Sequence, residues 1–326
     1  MPKICYIPKK FSQANQLLLQ RANVVIAEYM AQGIPMTVRQ LYYQFITRDL
    51  FPDSMVNKQG KKNCGENYTR LQGLISSGRV AGVIDWDAII DRMRGVHKNS
   101  HWTKPSEAVK SVVEGYAVDK WDNQPHYVEV WVEKDALAGV LMGPCSDLDV
   151  PFFACRGYAS QTSAWDAAQR LLAKSALGKA IHIIHLGDHD PSGLDMSRDI
   201  QERLELFTGD RVHLERVALN MDQVRQYNPP PNPAKESDAR YARYQAQFGD
   251  ESWELDALSP TVLVDLVNRS VLKYRDQALW NESLERERRG KLTLETLSNN
   301  FPIVVDFLKE VRKSEQTRNS ETRLED

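Results

Sequence analysis

Two aspartates stand two residues apart in the run Gly187-Asp188-His189-Asp190-Pro191-Ser192-Gly193, directly after the apolar stretch 181–186. If that stretch is a parallel strand, its carboxyl end is where such sheets bind ligands, and the spacing lets both carboxylates face one hard cation. Glu133 closes an earlier stretch of alternating apolar and polar residues, 126–133, in the same way. Three clustered carboxylates repel one another unless a divalent ion neutralises them. Mg²⁺, for which Mn²⁺ could substitute, prefers one or two carboxylates together with water and phosphate oxygens. The alternative is an ordinary Asp-Pro-Ser-Gly turn whose acids only cap the following helix.

A phenol is the second reactive candidate. Thr37-Val38-Arg39-Gln40 is a capping-box pattern, so a helix is expected to start at Val38. Along it Val38, Leu41, Tyr42 and Phe45 form one core-facing stripe, while Arg39 and Tyr43, four apart, share a different face. A phenol with a pKa of about 10 is a poor nucleophile at neutral pH, and a neighbouring guanidinium favours its ionised form. Arg39 could equally grip a phosphate and stabilise its developing charge. Tyr42 reads as a core residue; Tyr43 taken alone reads as an exposed structural tyrosine.

The elements that must position these groups are legible in outline. Residues 12–32 read as a helix capped by Ser12 and ended by Gly33, and 66–77 as a further helix after the polar, basic loop 57–63. Trp86, Ile89, Ile90 and Met93 indicate one more helix. Short helices and a basic loop suggest a winged-helix or helix-turn-helix unit, with Lys61, Lys62, Arg70 and Arg79 as candidates for DNA-backbone contacts. Beyond residue 118, strands over 126–133, 150–155, 180–186 and 212–219 alternate with helices over 135–142, 160–176 and 192–207. That rhythm predicts an α/β fold with a parallel sheet covered on both faces. The prolines of 229–233 mark a break, 235–312 reads as largely helical, and the charged segment 313–326 as disordered. Lys235, Asp238 and Arg240 form either a further functional element or a solvated helix start. The expected domains are 1–118, 119–228 and 229–312, followed by the tail 313–326.

Composition excludes several classes. Hydrophobic content of 42% and charged content of 26% suit a globular protein rather than a disordered or membrane chain. No stretch approaches the roughly 20 apolar residues of a membrane span, and the first residues hold no signal-like run. Cys5, Cys64, Cys145 and Cys155 show no C-x-x-C spacing, so reduced thiols in the cytoplasm are expected. His97 and His101 lack a third nearby ligand for a metal. The formal net charge of −2 conceals a basic first third and an acidic remainder, which suits one part gripping phosphate and another holding a cation.

Together these motifs resemble a known family. A strand ending in Glu133-Lys134 and a later one ending in Asp188-x-Asp190-Pro-x-Gly193 resembles the TOPRIM domain of topoisomerases, primases and certain nucleases. The Asp-x-Asp-Pro form, with Arg156-Gly157-Tyr158 and a helix between the acidic motifs, is similar in particular to the topoisomerase VI A subunit and the meiotic double-strand-break transesterase. Arg39-Gln-Leu-Tyr42-Tyr43 resembles the Arg-x-x-[Tyr/Phe]-Tyr motif whose second tyrosine is that family's nucleophile, and Glu254-Leu-Asp-Ala-Leu258 resembles a late acidic segment. The resemblance covers about residues 36–260, and the order of the motifs is more specific than any one of them. Loops outside the motifs match the larger enzymes poorly. The chain, without an ATPase of the B-subunit type, resembles the compact stand-alone A-like proteins of bacteria and mobile elements.

The resemblance implies a winged-helix-like domain carrying Tyr43, and a TOPRIM (Rossmann-like) domain holding Mg²⁺ through Glu133, Asp188 and Asp190, with a helical C-terminal extension. It further implies cleavage of double-stranded DNA through a 5′-phosphotyrosyl link. A twofold dimer would bring the tyrosine of one protomer to the metal of the other, and an ATPase partner is compatible with it. Two rival readings keep the fold. One is a TOPRIM nuclease cutting by metal-activated water with Tyr43 structural; the other is a non-catalytic DNA-binding protein.

Overall fold

The computed structural model describes residues 3–34, 36–89, 99–155, 157, 161–209 and 211–322, with side chains to residue 313. Two compact units divide the chain: Met1–Arg94 with Pro125–Arg275, and Gly95–Gln124 with Asp276–Asp326. The proline run at 229–233 therefore falls inside the first unit rather than at its edge.

The first unit begins with three helices: α1 (Gln13–Met30), α2 (Val38–Thr47) and α3 (Gly65–Val80). Ser12 caps α1 by accepting from the Asn15 N–H, and Thr37 and Gln40 complete the capping box of α2. Leu41, Tyr42 and Phe45 are buried against Leu18, Leu19, Leu71 and Ile75, as the helical stripe predicts. Tyr43, expected on an exposed face, is only 3% exposed and belongs to the same core. The reason lies far along the chain, because Ala257 joins this core and its short 3₁₀ turn Leu255–Ala257 packs on α2. The helix expected around Trp86 does not form over the described residues: 86–88 make a turn and Ile89 bridges to Met36. Ile90 and Met93, like His97, lie outside the described residues.

Helix α4 (Pro105–Gly115) belongs to the second unit. The first unit resumes with β1 (His126–Val132), α5 (Ala138–Asp147), β2 (Phe152–Ala154), α6 (Gln161–Ser175), β3 (Ala180–Leu186), α7 (Pro191–Thr208) and β4 (Val212–Ala218). The four strands form one parallel sheet in the order β2-β1-β3-β4. Side chains alternate across it. Tyr127, Trp131, Ile181 and Ile183 pack against α6 and α7, while α10 (Pro260–Leu272) lies against β3, β4 and α5 on the other face. Between β4 and α10 run α8 (Met221–Tyr227), the two-residue strands β5 (Asn232–Pro233) and β6 (Glu251–Ser252), and α9 (Tyr241–Phe248).

The register of the sheet fixes the site. Val132 pairs with Leu186, so β1 and β3 end level and Glu133 emerges beside Gly187 and Asp188. In the second unit α11 (Gln277–Asn299) packs on α4, Trp121 meets Trp280 edge to face at 6.3 Å, and α12 (Phe301–Thr322) follows. Helix α12 continues through Thr322, into the segment expected to be disordered. Among the described residues no helix is long and apolar enough to cross a membrane.

Candidate functional site

At the carboxyl ends of β1 and β3, Glu133 Oε2 accepts the Asp188 N–H at 2.8 Å. Asp188 in turn accepts the Leu255 N–H through Oδ1 at 2.7 Å and pairs through Oδ2 with Lys134 Nζ at 2.7 Å. Both carboxylates are almost fully buried. Burial, and then the neighbouring Asp188 charge, holds the Glu133 carboxyl above the ordinary carboxylate range. Burial raises Asp188 as well, although Lys134 and the Leu255 N–H pull against it.

Asp190 behaves differently. Its Oδ1 accepts the Gly193 N–H at 2.6 Å and the Ser192 hydroxyl at 3.0 Å, so it is the N-cap of α7, as the simple turn reading expects. Gly193 is required there, because a Cβ would overlap the Asp188 carbonyl and stand 3.0 Å from Glu133 Oε2. Arg216 braces the same turn from β4, donating to the carbonyls of Gly187 at 3.1 Å, Asp188 at 2.6 Å and Gly193 at 3.1 Å. Burial lowers its pKa to about 10, and the nearby Glu133 and Asp188 oppose that fall.

The late acidic segment is placed by backbone pairing. His189 and Trp253 exchange N–H···O bonds at 2.8 and 2.9 Å, which lays residues 251–256 along the Asp188 turn. Glu254 thereby reaches Lys134 at 2.9 Å and also binds Arg39, whose Nε lies 3.1 Å from Asp256. Burial opposes the charge on Arg39, yet Glu254, with Tyr43 and Asp256, holds its pKa above the ordinary value. Lys134 is held up in the same way by Asp256, Asp188 and Glu254.

Tyr43 and the acids line one cavity of about 640 Å³ together with Arg39 and Lys134. These groups converge within a single chain. The Arg39 guanidinium lies 5.9 Å from the Tyr43 ring centre, as their spacing predicts. It does not produce an ionised phenol: burial, then Glu254, raises Tyr43, and these outweigh Asn232, Arg39 and Lys134. The Tyr43 hydroxyl meets Asn232 Nδ2 at 3.4 Å. Tyr42 is tied more firmly, accepting the Cys64 N–H at 2.8 Å and reaching Asn63 Oδ1 and the Cys64 carbonyl, each at 3.0 Å.

The basic candidates separate. Lys61 and Arg70 are exposed. Lys62 is committed to Asp49 and Asp53, at 2.7 Å each, and to the Phe51 carbonyl, so a phosphate contact there must displace two ion pairs. Arg79 lies over the Trp86 ring at 4.6 Å and lines a larger cavity of about 1050 Å³ that also reaches Glu133 and Lys134. Arg240 pairs with Asp238 at 2.7 Å and Asp195 at 2.8 Å ahead of α9, a structural use of that motif. Arg156 and Tyr158 lie outside the described residues.

Whether these residues suit Mg²⁺ turns on Glu133 and Asp188. They are hard oxygen donors, adjacent and buried, and Glu133 has no ion-pair partner among the described residues. Two such carboxylates, completed by water and phosphate oxygens, match the preference of Mg²⁺. A closed cage of three acids is not formed: among the described residues no group of three or more His, Cys, Asp or Glu is arranged to hold a metal ion. Asp190 is engaged as a cap, and Lys134 is the counter-ion of Asp188.

Lys134, Asn232, Asp256 and Arg216 join the site without having been singled out as site residues. Lys134 and Asp256 sit inside motifs read for their neighbouring acids, whereas Asn232 and Arg216 carried no local signal. No protein-family model matches this chain, and comparison with curated proteins returns no significant relative.

Proposed function

We propose that this chain cuts DNA by tyrosine transesterification, with Mg²⁺ held by Glu133 and Asp188 and with Asp190 at the rim of the same cavity. The observation that carries this reading is the convergence of Tyr43, Arg39, Glu133 and Asp188 on one cavity, although Tyr43 and Asp188 stand 145 positions apart in the sequence. In the reaction the Tyr43 hydroxyl gives its proton to solvent as Oη attacks a backbone phosphorus, the P–O3′ bond breaks, and the leaving 3′ oxygen takes up a proton from solvent. The 5′ phosphate remains on the tyrosine. Arg39 and Lys134 line the same cavity, where a phosphate exchanges for part of their pairing with Glu254 and Asp188 and they offset the charge that develops on it. A bound divalent ion would supply further charge neutralisation at the phosphate. The resemblance adds a twofold dimer and double-stranded DNA as substrate; it pairs the tyrosine of one protomer with the metal of the other, whereas here Tyr43 lines the cavity of its own chain's acids.

Hydrolysis by activated water is the second reading, and one observation favours it: burial and Glu254 hold the Tyr43 phenol in its neutral form. Covalent capture decides between the two. Supercoiled plasmid incubated with the protein and Mg²⁺ is run on denaturing gels before and after protease. Transesterification leaves protein on the 5′ ends, released only by protease. Free 5′ ends without protease assign the cut to water.

A further inference from the structure

Residues 3–11 form a strap across the end of α3. Tyr6 and Ile7 donate to the Val80 carbonyl at 2.9 and 3.1 Å, Cys5 bridges to Ala81, and Lys9 Nζ donates to Ser77 Oγ at 2.9 Å. The strap is fixed by its backbone, yet it turns apolar groups outward: Tyr6 is 65% exposed and Ile7 64%. The Tyr6 ring meets Trp86 edge to face at 5.8 Å, and the Arg79 guanidinium lies over Trp86 at 4.6 Å. Aromatic rings and a planar cation thus stand in a row, and internal packing leaves most of Tyr6 uncovered.

The surroundings have a charge that selects a partner. Lys9, Lys10 and Arg70 line a neighbouring cavity of about 300 Å³. It shares Gly73 with the larger cavity that holds Arg79 and Trp86, and that cavity extends to Glu133 and Lys134. A basic track beside aromatic rings is the arrangement that binds unpaired nucleotides, since phosphates follow the cations and bases stack on the rings. A paired duplex keeps its base faces inside and cannot use the rings in this way.

We propose that the strap, with Trp86 and Arg79, binds an unpaired stretch of DNA leading into the carboxylate cavity. This rests on the reading above for the identity of the polymer, and it adds a subsite for strands that are open next to the cut.

The test uses the full chain and reads binding, not cleavage. Fluorescence anisotropy is measured with a labelled oligo-dT of about 20 nucleotides, with the matching blunt duplex, and with oligo-U RNA. Tyr6 is exposed, so Tyr6→Ala leaves the core untouched. It is expected to lower oligo-dT affinity by about tenfold while changing duplex affinity little, and Tyr6→Phe is expected to restore it. Arg79→Gln gives a second, independent loss on oligo-dT. A matching loss on oligo-U assigns the subsite to unpaired nucleotides of either sugar; a loss confined to oligo-dT assigns it to DNA. Unchanged oligo-dT binding by Tyr6→Ala, or an equal loss on duplex, overturns the proposal. Selective binding without any cleavage removes the proposed reaction and leaves this subsite standing.

Discussion

Tyr43→Phe and Tyr42→Phe each delete one hydroxyl from neighbouring positions of α2, and the structure sets opposite consequences for them. The Tyr42 hydroxyl satisfies the Cys64 N–H at the start of α3 and reaches two further oxygens at 3.0 Å. Its loss leaves a part-buried donor unpaired, a cost of about 1–3 kcal/mol. The Tyr43 hydroxyl instead meets side chains only, Asn232 at a long 3.4 Å and the Arg39 guanidinium, and both lie on the cavity, so its loss costs about 0.5–1 kcal/mol. Phe keeps the ring packing in both. Tyr42→Phe should therefore unfold at the lower temperature, by several degrees, and still cleave. Tyr43→Phe should be nearly as stable as wild type, bind duplex DNA, and lose cleavage together with covalent attachment. Thermal unfolding and labelled DNA on denaturing gels, with and without protease, read the two effects separately. Cleavage by Tyr43→Phe at the wild-type rate would refute the transesterase mechanism. A larger stability loss in Tyr43→Phe than in Tyr42→Phe would refute the hydrogen-bond reasoning.

Mg²⁺ is expected to raise the unfolding temperature of the wild type and not that of Asp188→Ala; an equal rise in both, or none in the wild type, removes the metal from this site. Gly193→Ala forces the start of α7 away from Asp188 and Glu133 and should cost about 1–3 kcal/mol, together with most of the cleavage activity. A variant of wild-type stability would contradict the close approach. His185 is fully buried, and burial, then Arg216, lowers its pKa to about 3. The folded state favours the neutral ring, so this stabilisation is complete above the unfolded value of about 6.5 and is lost as pH falls towards 3, at up to ~1.4 kcal/mol per pH unit. Glu133 and Asp188 act with the opposite sign, so the comparison is between variant and wild type. His185→Gln should flatten the acid limb of stability against pH, and an unchanged slope excludes His185 as its source.

Local chemistry was legible wherever a few neighbouring residues decide it. Ser12 and Thr37 cap the helices that their side chains announce, and the alternating residues of β1 and the apolar run of β3 form adjacent strands. The parallel sheet followed from strands alternating with helices, and with it the placement of Glu133 and Asp188 at the carboxyl ends of two adjacent strands. What failed depended on distant partners. Tyr43 reads as exposed from its helical face, but the turn Leu255–Ala257 covers that face. Lys62 reads as a free surface charge, although Asp49 and Asp53 claim it. Asp190 offered two uses, and the Gly193 N–H, three residues on, selects the helix cap in this arrangement. Arg216 and Asn232 gave no sign because their roles exist only once β4 and β5 are in place.

The pairing of His189 with Trp253 also bears on synthesis. Arg39 and Lys134 leave the ribosome long before Glu254, which lies 215 and 120 residues further along the chain. Until that segment docks, Asp188 lacks the Leu255 N–H, Arg39 lacks Glu254 and Asp256, and Lys134 has Asp188 but not Glu254. A nascent chain that has formed α2 and the sheet therefore lacks the turn that packs on α2 beside Tyr43, and its Arg39 is not yet fixed by Glu254 and Asp256. Under the proposed reaction, competence arrives only when residues 251–256 dock, so a chain interrupted before them lacks the assembled cavity.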